Sequence, residues 1–257
     1  MLFDSVPGDI ETVFRNQRMK APGFWNRFEN PPEFNGKRVL DLGCGYGPLV
    51  FDILDRGAAE CTGIDLSQER VARAHQFAKD NGYGGRATFV AGDVRALEDH
   101  GFDLVVSKDT FEHIDDLTGL MDAIMACLKP GGRFYVGFGP LYHSPFGDHG
   151  WYSRFPWGHV AAGRKAVVER INRRENAQFR SIQEAGLNGL TPADFRRHLA
   201  HPNARLVSLT VNSVEGMAKK LAIGPMNLLR RVPALEPYFT VSMYAVLERA
   251  SGSNGLH

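Results

Sequence analysis

The first place where residue type and spacing could do chemistry is "VLDLGCGYGP", in which Asp41 is followed by glycines at the alternate positions 43, 45 and 47. Glycines at such a turn let backbone amides approach a ligand closely, because no side chain stands in the way. A dinucleotide fingerprint spaces its glycines GxGxxG/A, and the third lets a helix N-terminus face a pyrophosphate. Here Pro48 occupies that third position, so the dinucleotide pattern fails. Asp41 argues the same way. A carboxylate at a strand end repels a pyrophosphate and favours a ligand that carries positive charge.

These residues need a frame. From residue 38 to about 138, short apolar runs alternate with helix-period segments: "RVLDL" (38–42), "CTGID" (61–65), "ATFVA" (87–91), "FDLVV" (102–106) and "RFYVGF" (133–138) read as strands. Between them lie the helical patterns Leu49/Val50/Ile53/Leu54, Val71/Ala74/Phe77/Ala78 and Ile114/Leu117/Leu120/Met121/Ile124/Leu128. Ser67 is an N-cap for the second, and "KPGG" (129–132) stops the third. Such alternation specifies an α/β fold, a doubly wound, mostly parallel sheet with helices on both faces. Ligands bind such sheets at the carboxyl ends of the strands, so the residues just past each strand carry the information.

Taken strand end by strand end, the chain resembles the class I S-adenosylmethionine-dependent methyltransferases of the small-molecule type, similar to those of ubiquinone and menaquinone biosynthesis. "DLGCGYG" resembles their first motif, with Asp41, Gly43, Cys44, Gly45 and Gly47 at the cofactor. The resemblance implies that Asp65 accepts from the ribose diol and that Leu66 packs on the adenine face. It implies that Asp93 of "GDV" accepts from the adenine amino group and that Val94 offers backbone atoms to the ring edge. "SKDTFEHI" (107–114) matches the segment beside the methionine moiety, which adds Ser107 and Lys108, and "LKPGGRFYV" (128–136) matches the turn into the fifth strand. The implied fold is a seven-stranded Rossmann-like sheet, and the implied cofactor is S-adenosylmethionine. The resemblance covers roughly residues 35–140.

One domain is expected over 1–257: a helical cap at 1–36 with exposed-looking Phe24, Trp25 and Phe28, a cofactor-binding core at 37–138 and a helical substrate lid at 139–204. Closing strands within 205–250 ("RLVSLTVNSV", 205–214, and "YFTVSMYAVLER", 238–249) and a tail at 251–257 complete it. In the lid a basic helix-like stretch runs over 164–186, and Thr191-Pro192 starts a second short helix.

Methyl transfer from a sulfonium is an in-line displacement, so alignment and exclusion of water are the main demands. A hydroxyl or acidic-carbon acceptor also needs a base. Glu112 and His113 are the first candidates; the alternative is that one of them caps the helix beginning near Ile114. The stretch "YHSPFGDHGWYSRFPWGH" (142–159) is the second source, with His149 as a further catalytic candidate and Tyr142, His143, His149, Trp157 and His159 as acceptor contacts. Its irregular His and Asp148 spacing does not support a metal site, and none is expected. An aromatic wall and a hydrophobic plug both fit the stretch.

Composition bounds the partners. Residues 1–149 hold 15 Lys and Arg against 22 Asp and Glu, and residues 150–257 hold 15 against 7, inside a net charge of +1. An acceptor with an aromatic or apolar body and an anionic group is expected. The basic residues are dispersed, so no nucleic-acid partner is expected. Cys44, Cys61 and Cys127 are far apart in apolar patterns and read as reduced packing residues. No run approaches the roughly 18 apolar residues of a membrane span, so a cytoplasmic protein without membrane contact is expected. The acceptor atom, O, N or C, stays open, as do a nucleic-acid or protein acceptor and a use of the cofactor other than methyl transfer.

Overall fold

The computed structural model describes residues 10–214 and 217–251; residues 1–9 of the expected cap and 252–257 of the expected tail lie outside them. Seven strands form one sheet: β1 Arg38–Leu42, β2 Glu60–Asp65, β3 Ala87–Ala91, β4 Phe102–Lys108, β5 Leu128–Phe138, β6 Ala204–Val211 and β7 Met243–Arg249. Their order is β3-β2-β1-β4-β5-β7-β6. The first five pair in parallel, and β7 runs antiparallel between β5 and β6. The central strands are apolar on both faces because helices cover both. "KPGG" bulges out of the β4–β5 ladder: Phe102 pairs with Leu128, but Leu104 pairs with Arg133. Chain order reverses between β1 and β4, and it is at the carboxyl ends of two such strands, here Leu42 and Ser107, that sheets of this kind form a ligand crevice.

Helices α1 Ile10–Trp25, α2 Pro48–Asp55, α3 Gln68–Asp80 and α4 Leu117–Cys127 belong to this core. Ser67 caps α3 by accepting from Arg70 N, as its position before the helix implies. Against expectation, Phe24, Trp25 and Phe28 are buried, at 2%, 2% and 4% exposure. Phe24 and Phe28 stand edge-on to Tyr244, Phe28 edge-on to Tyr135 and Trp25 edge-on to Phe34, so the cap covers a sheet face otherwise open to water. The Trp25 indole also donates to Asp52 at 2.7 Å.

A second correction concerns α4. It begins at Leu117, with Asp116 accepting from Gly119 N, and Phe111–His113 forms a separate 3-10 turn. Neither Glu112 nor His113 caps the helix, because Asp116 already does.

After β5 come α5 Gly158–Glu175 and α6 Pro192–Leu199. The basic helix is therefore displaced and shorter than its sequence pattern, kinked at Gly163 and ended by Asn176 in a left-handed conformation. Thr191 and Asp194 close a reciprocal capping box at α6. Tyr142, Val167, Val168, Ile171, Ile182, Ala185 and Leu187 give this segment a small core of its own. Between β6 and β7 lie α7 Met217–Leu229 and the short α8 Glu236–Phe239. The stretch 238–249 is thus strand only from Met243, since Pro237 sits in the first turn of α8.

Candidate functional site

The glycine loop leaves β1 in conformations that exclude other residues. Gly43 and Gly47 have φ of +77° and +82°. A Cβ at Gly43 would lie 2.4 Å from Thr110 Oγ1, and one at Gly47 would lie 2.7 Å from the Phe89 ring. Asp65, at the end of β2, fixes the loop from the side: Oδ2 accepts from Gly45 N and Oδ1 from Ser67 N, both at 2.9 Å. Each oxygen keeps a lone pair for a further donor, which suits a vicinal diol. Beside it Leu66 is 65% exposed, an apolar face open at the crevice.

Asp41 is buried beneath the loop and its Oδ2 has no hydrogen-bond partner. Burial, and then the neighbouring Asp65 carboxylate, push its pKa up to about 7, while Lys108 opposes them. A buried carboxyl lacking a partner is costly, and a cation in the crevice would relieve that cost. Cys44 is buried too, its thiol raised well above the ordinary value by burial and the nearby carboxylates, so it packs rather than reacts.

The other implied cofactor residues follow β3 or end β4. Asp93 accepts from Arg95 N and pairs with the Arg95 guanidinium at 3.0 Å, which leaves Val94 buried in the adjoining turn. Ser107 is fully buried and donates to Leu42 O at 3.2 Å, tying β4 to β1. Lys108 pairs with Asp109.

Just past β4 the 3-10 turn presents Glu112 and His113. His113 Nδ1 donates to Gly186 O, a carbonyl and so an acceptor only. In the neutral ring the proton therefore sits on Nδ1, and Nε2 carries the lone pair. Burial lowers the His113 pKa, against the opposing effects of Gly186 and Asp109. Nε2 lies 4.0 Å from Glu112 Oε1. Both Glu112 oxygens are buried without hydrogen-bond partners, and burial followed by the Asp109 charge pushes this carboxyl up to about 8. It lines a cavity of about 10 Å³ with Phe138, Leu141, Leu187 and Asn188, room for about one water. The His149 ring stands 5.8 Å from that of His113. Although His149 keeps an open edge, crowding by protein atoms and then His113 push its pKa down to about 4.

Asn188 holds this turn, and sequence reasoning missed it. Its Nδ2 donates to Phe111 O at 2.6 Å and Ile114 O at 2.8 Å, while its amide donates to Glu112 O at 2.9 Å. The only local signal was an asparagine between glycines in "GLNG".

Residues 33–139 match the family model described as a methyltransferase domain. That match covers less than half of the chain, and over it the chain is similar to methyltransferase domains. It is 37% identical over 106 residues to a ubiquinone biosynthesis O-methyltransferase of Xanthomonas euvesicatoria, covering 40% of this chain and 44% of that protein. It is 35% identical over 103 residues to a sterol 24-C-methyltransferase of Gibberella zeae, covering 39% of this chain and 27% of the relative. The chain thus spans less than half the length of these relatives. An S-adenosylmethionine-dependent methyltransferase of Mesorhizobium loti has the same fold, with a TM-score of 0.59, 21% identity, and coverage of 90% of this chain and 97% of that one.

Beyond the matched stretch, the 139–204 segment is organised from within. Asp148 is fully buried and accepts from the amides of Gly150, Tyr152 and Ser153. His159, also without exposure, donates from Nε2 to Tyr142 O, with Nδ1 3.6 Å from Asp148. Expected as an acceptor contact, His159 is instead placed in the interior of the lid, because it ties the loop to the start of α5. The guanidiniums of Arg164, Arg170 and Arg174 lie over the rings of Tyr142, Tyr152 and Trp151, so these bases are engaged by the lid's own aromatics. His143 is half-buried between Tyr142 and Tyr238, its pKa lowered by burial and by Arg164. Trp157 donates to Tyr238 O at 2.9 Å. Among the described residues no group of three or more His, Cys, Asp or Glu is arranged to hold a metal ion.

Proposed function

We propose that the protein transfers a methyl group from S-adenosylmethionine to a small-molecule acceptor, with His113 taking the acceptor's proton. The observation that carries the reading is the crevice itself. The unpartnered buried Asp41, the glycine loop and the Asp65 carboxylate converge where β1 and β4 part. These groups fit a ligand with a cationic amino-acid end and a ribose diol, and Leu66 fits an adenine face.

When bound, S-adenosylmethionine supplies an electrophilic methyl on a sulfonium. Asp65 would accept the ribose hydroxyls, Asp41 would balance the ammonium, and Asp93 and Val94 would meet the adenine edge. His113 would receive a proton at Nε2, the ring nitrogen that stays unprotonated while Nδ1 donates to Gly186 O. Glu112, which burial keeps protonated, lies beside it. Tyr142, His143, His149 and Trp157 line the acceptor's approach, and their rings suit an acceptor with an apolar or aromatic body that carries an anionic group.

Calorimetric titration with S-adenosylhomocysteine tests the reading. Asp65→Ala should weaken binding by about 1–3 kcal/mol, up to a hundredfold. Unchanged affinity, or a wild type that prefers NAD, refutes it.

A further inference from the structure

The lid meets the β6–β7 segment around Trp157. Besides its bond to Tyr238 O, the indole stands edge-on to Phe239 at 5.4 Å, and Trp157 N donates to Pro145 O at 2.7 Å. Large apolar side chains close in sequence to the residues of this junction face water. Phe146, next to Pro145, and Phe155, two residues before Trp157, are 47% and 79% exposed. From the other side come Leu228 at the end of α7, 65% exposed, and Val232, 49% exposed. Val232 O accepts the amides of Leu235 and Glu236, which begin the turn that carries Tyr238. Scattered exposed leucines need no explanation, but a group gathered around one junction does.

The charge around this group has one sign. Residues 140–165 and 223–240 hold Arg154, Arg164, Lys165, Arg230 and Arg231, against Asp148 and Glu236. Asp148 is buried under three amides, and Glu236 is held by Arg196. Arg154 and Arg231 are exposed. A second copy of the chain on this face would set like charges against each other, whereas an anionic surface meets both the apolar and the basic residues.

We propose that this face docks reversibly on an anionic lipid bilayer, with Phe155 and Leu228 entering the headgroup boundary while Arg154, Arg230 and Arg231 meet lipid phosphates. Among the described residues no helix is long and apolar enough to cross a membrane, so the contact is peripheral. It stands apart from the methyl-transfer reaction, since it needs neither cofactor nor acceptor.

Co-sedimentation of the full chain with vesicles tests it, comparing phosphatidylcholine alone with phosphatidylcholine containing roughly 30% phosphatidylglycerol. The wild type should bind the anionic vesicles and lose much of that binding in high salt. The double variants Phe155→Ser/Leu228→Ser and Arg230→Gln/Arg231→Gln should each bind roughly tenfold more weakly. Phe155, Leu228 and Arg231 are exposed and Arg230 is half-buried, its Nε donating to Asn227 Oδ1, so a thermal melt checks that the variants stay folded. Equal binding by wild type and variants, or no binding to anionic vesicles, overturns the proposal. So does a wild-type dimer, seen by sedimentation velocity, that the Ser variant dissociates while vesicles bind neither form.

Discussion

Asp41→Asn isolates the buried carboxyl beneath the glycine loop. With a pKa of about 7 in the free protein, Asp41 is ionised to about a tenth at pH 6 and about nine-tenths at pH 8. A ligand whose ammonium is balanced by this carboxylate binds only the ionised form, so binding must expel the proton. Affinity for S-adenosylhomocysteine should then rise about tenfold from pH 6 to pH 8, equivalent to about 1.4 kcal/mol. Near pH 7 about half a proton should be released per ligand bound. Calorimetry in two buffers of different ionisation enthalpy reads both quantities. Asparagine keeps the shape but cannot ionise, so the variant should bind more weakly at pH 8 and lose this slope and its proton release. The ligand's own amino group titrates identically against both proteins, and the ratio of their affinities removes it. A wild type and variant with the same slope, or a wild-type affinity that falls relative to the variant as pH rises, would refute the pairing of Asp41 with a cation.

His113→Ala should lower turnover by roughly 10²–10⁴-fold and leave S-adenosylhomocysteine affinity nearly unchanged, as steady-state kinetics and calorimetry would show; full activity returns the residue to a structural role. Glu112 is raised from 4.5 to about 8 in the folded state, so the folded form holds its proton longer and stability is lost as pH climbs through that window. Glu112→Gln should therefore unfold like the wild type below pH 4.5 and be more stable by about 2–4 kcal/mol above pH 8, with parallel urea curves at every pH refuting the assignment. Asn188→Ala removes the two side-chain bonds to Phe111 O and Ile114 O and the one accepted from Leu190 N. It should cost about 2–3 kcal/mol in urea denaturation and slow turnover, and an unchanged midpoint would mean the turn holds without it.

The sequence alone determined the strand ends and the residues just beyond them. Asp41, the alternate glycines and Asp65 were legible because they sit at fixed offsets from apolar runs, and the Ser67 and Thr191 caps were legible because a cap bonds within its own turn. Local chemistry of this kind repeats wherever its residues occur in order. Tertiary structure decided the rest. It buried Phe24, Trp25 and Phe28, which a helical pattern leaves free to face either way until a sheet arrives beneath them. It gave the α4 cap to Asp116, so neither Glu112 nor His113 serves as that cap. His159, one of several histidines in an aromatic loop, became an interior tie because Tyr142 O lies within its reach. Asn188 and Gly186 hold a turn more than 70 residues earlier in the chain. Such pairings depend on which surfaces pack together, and residues that distant carry no mutual spacing for a sequence reading to detect.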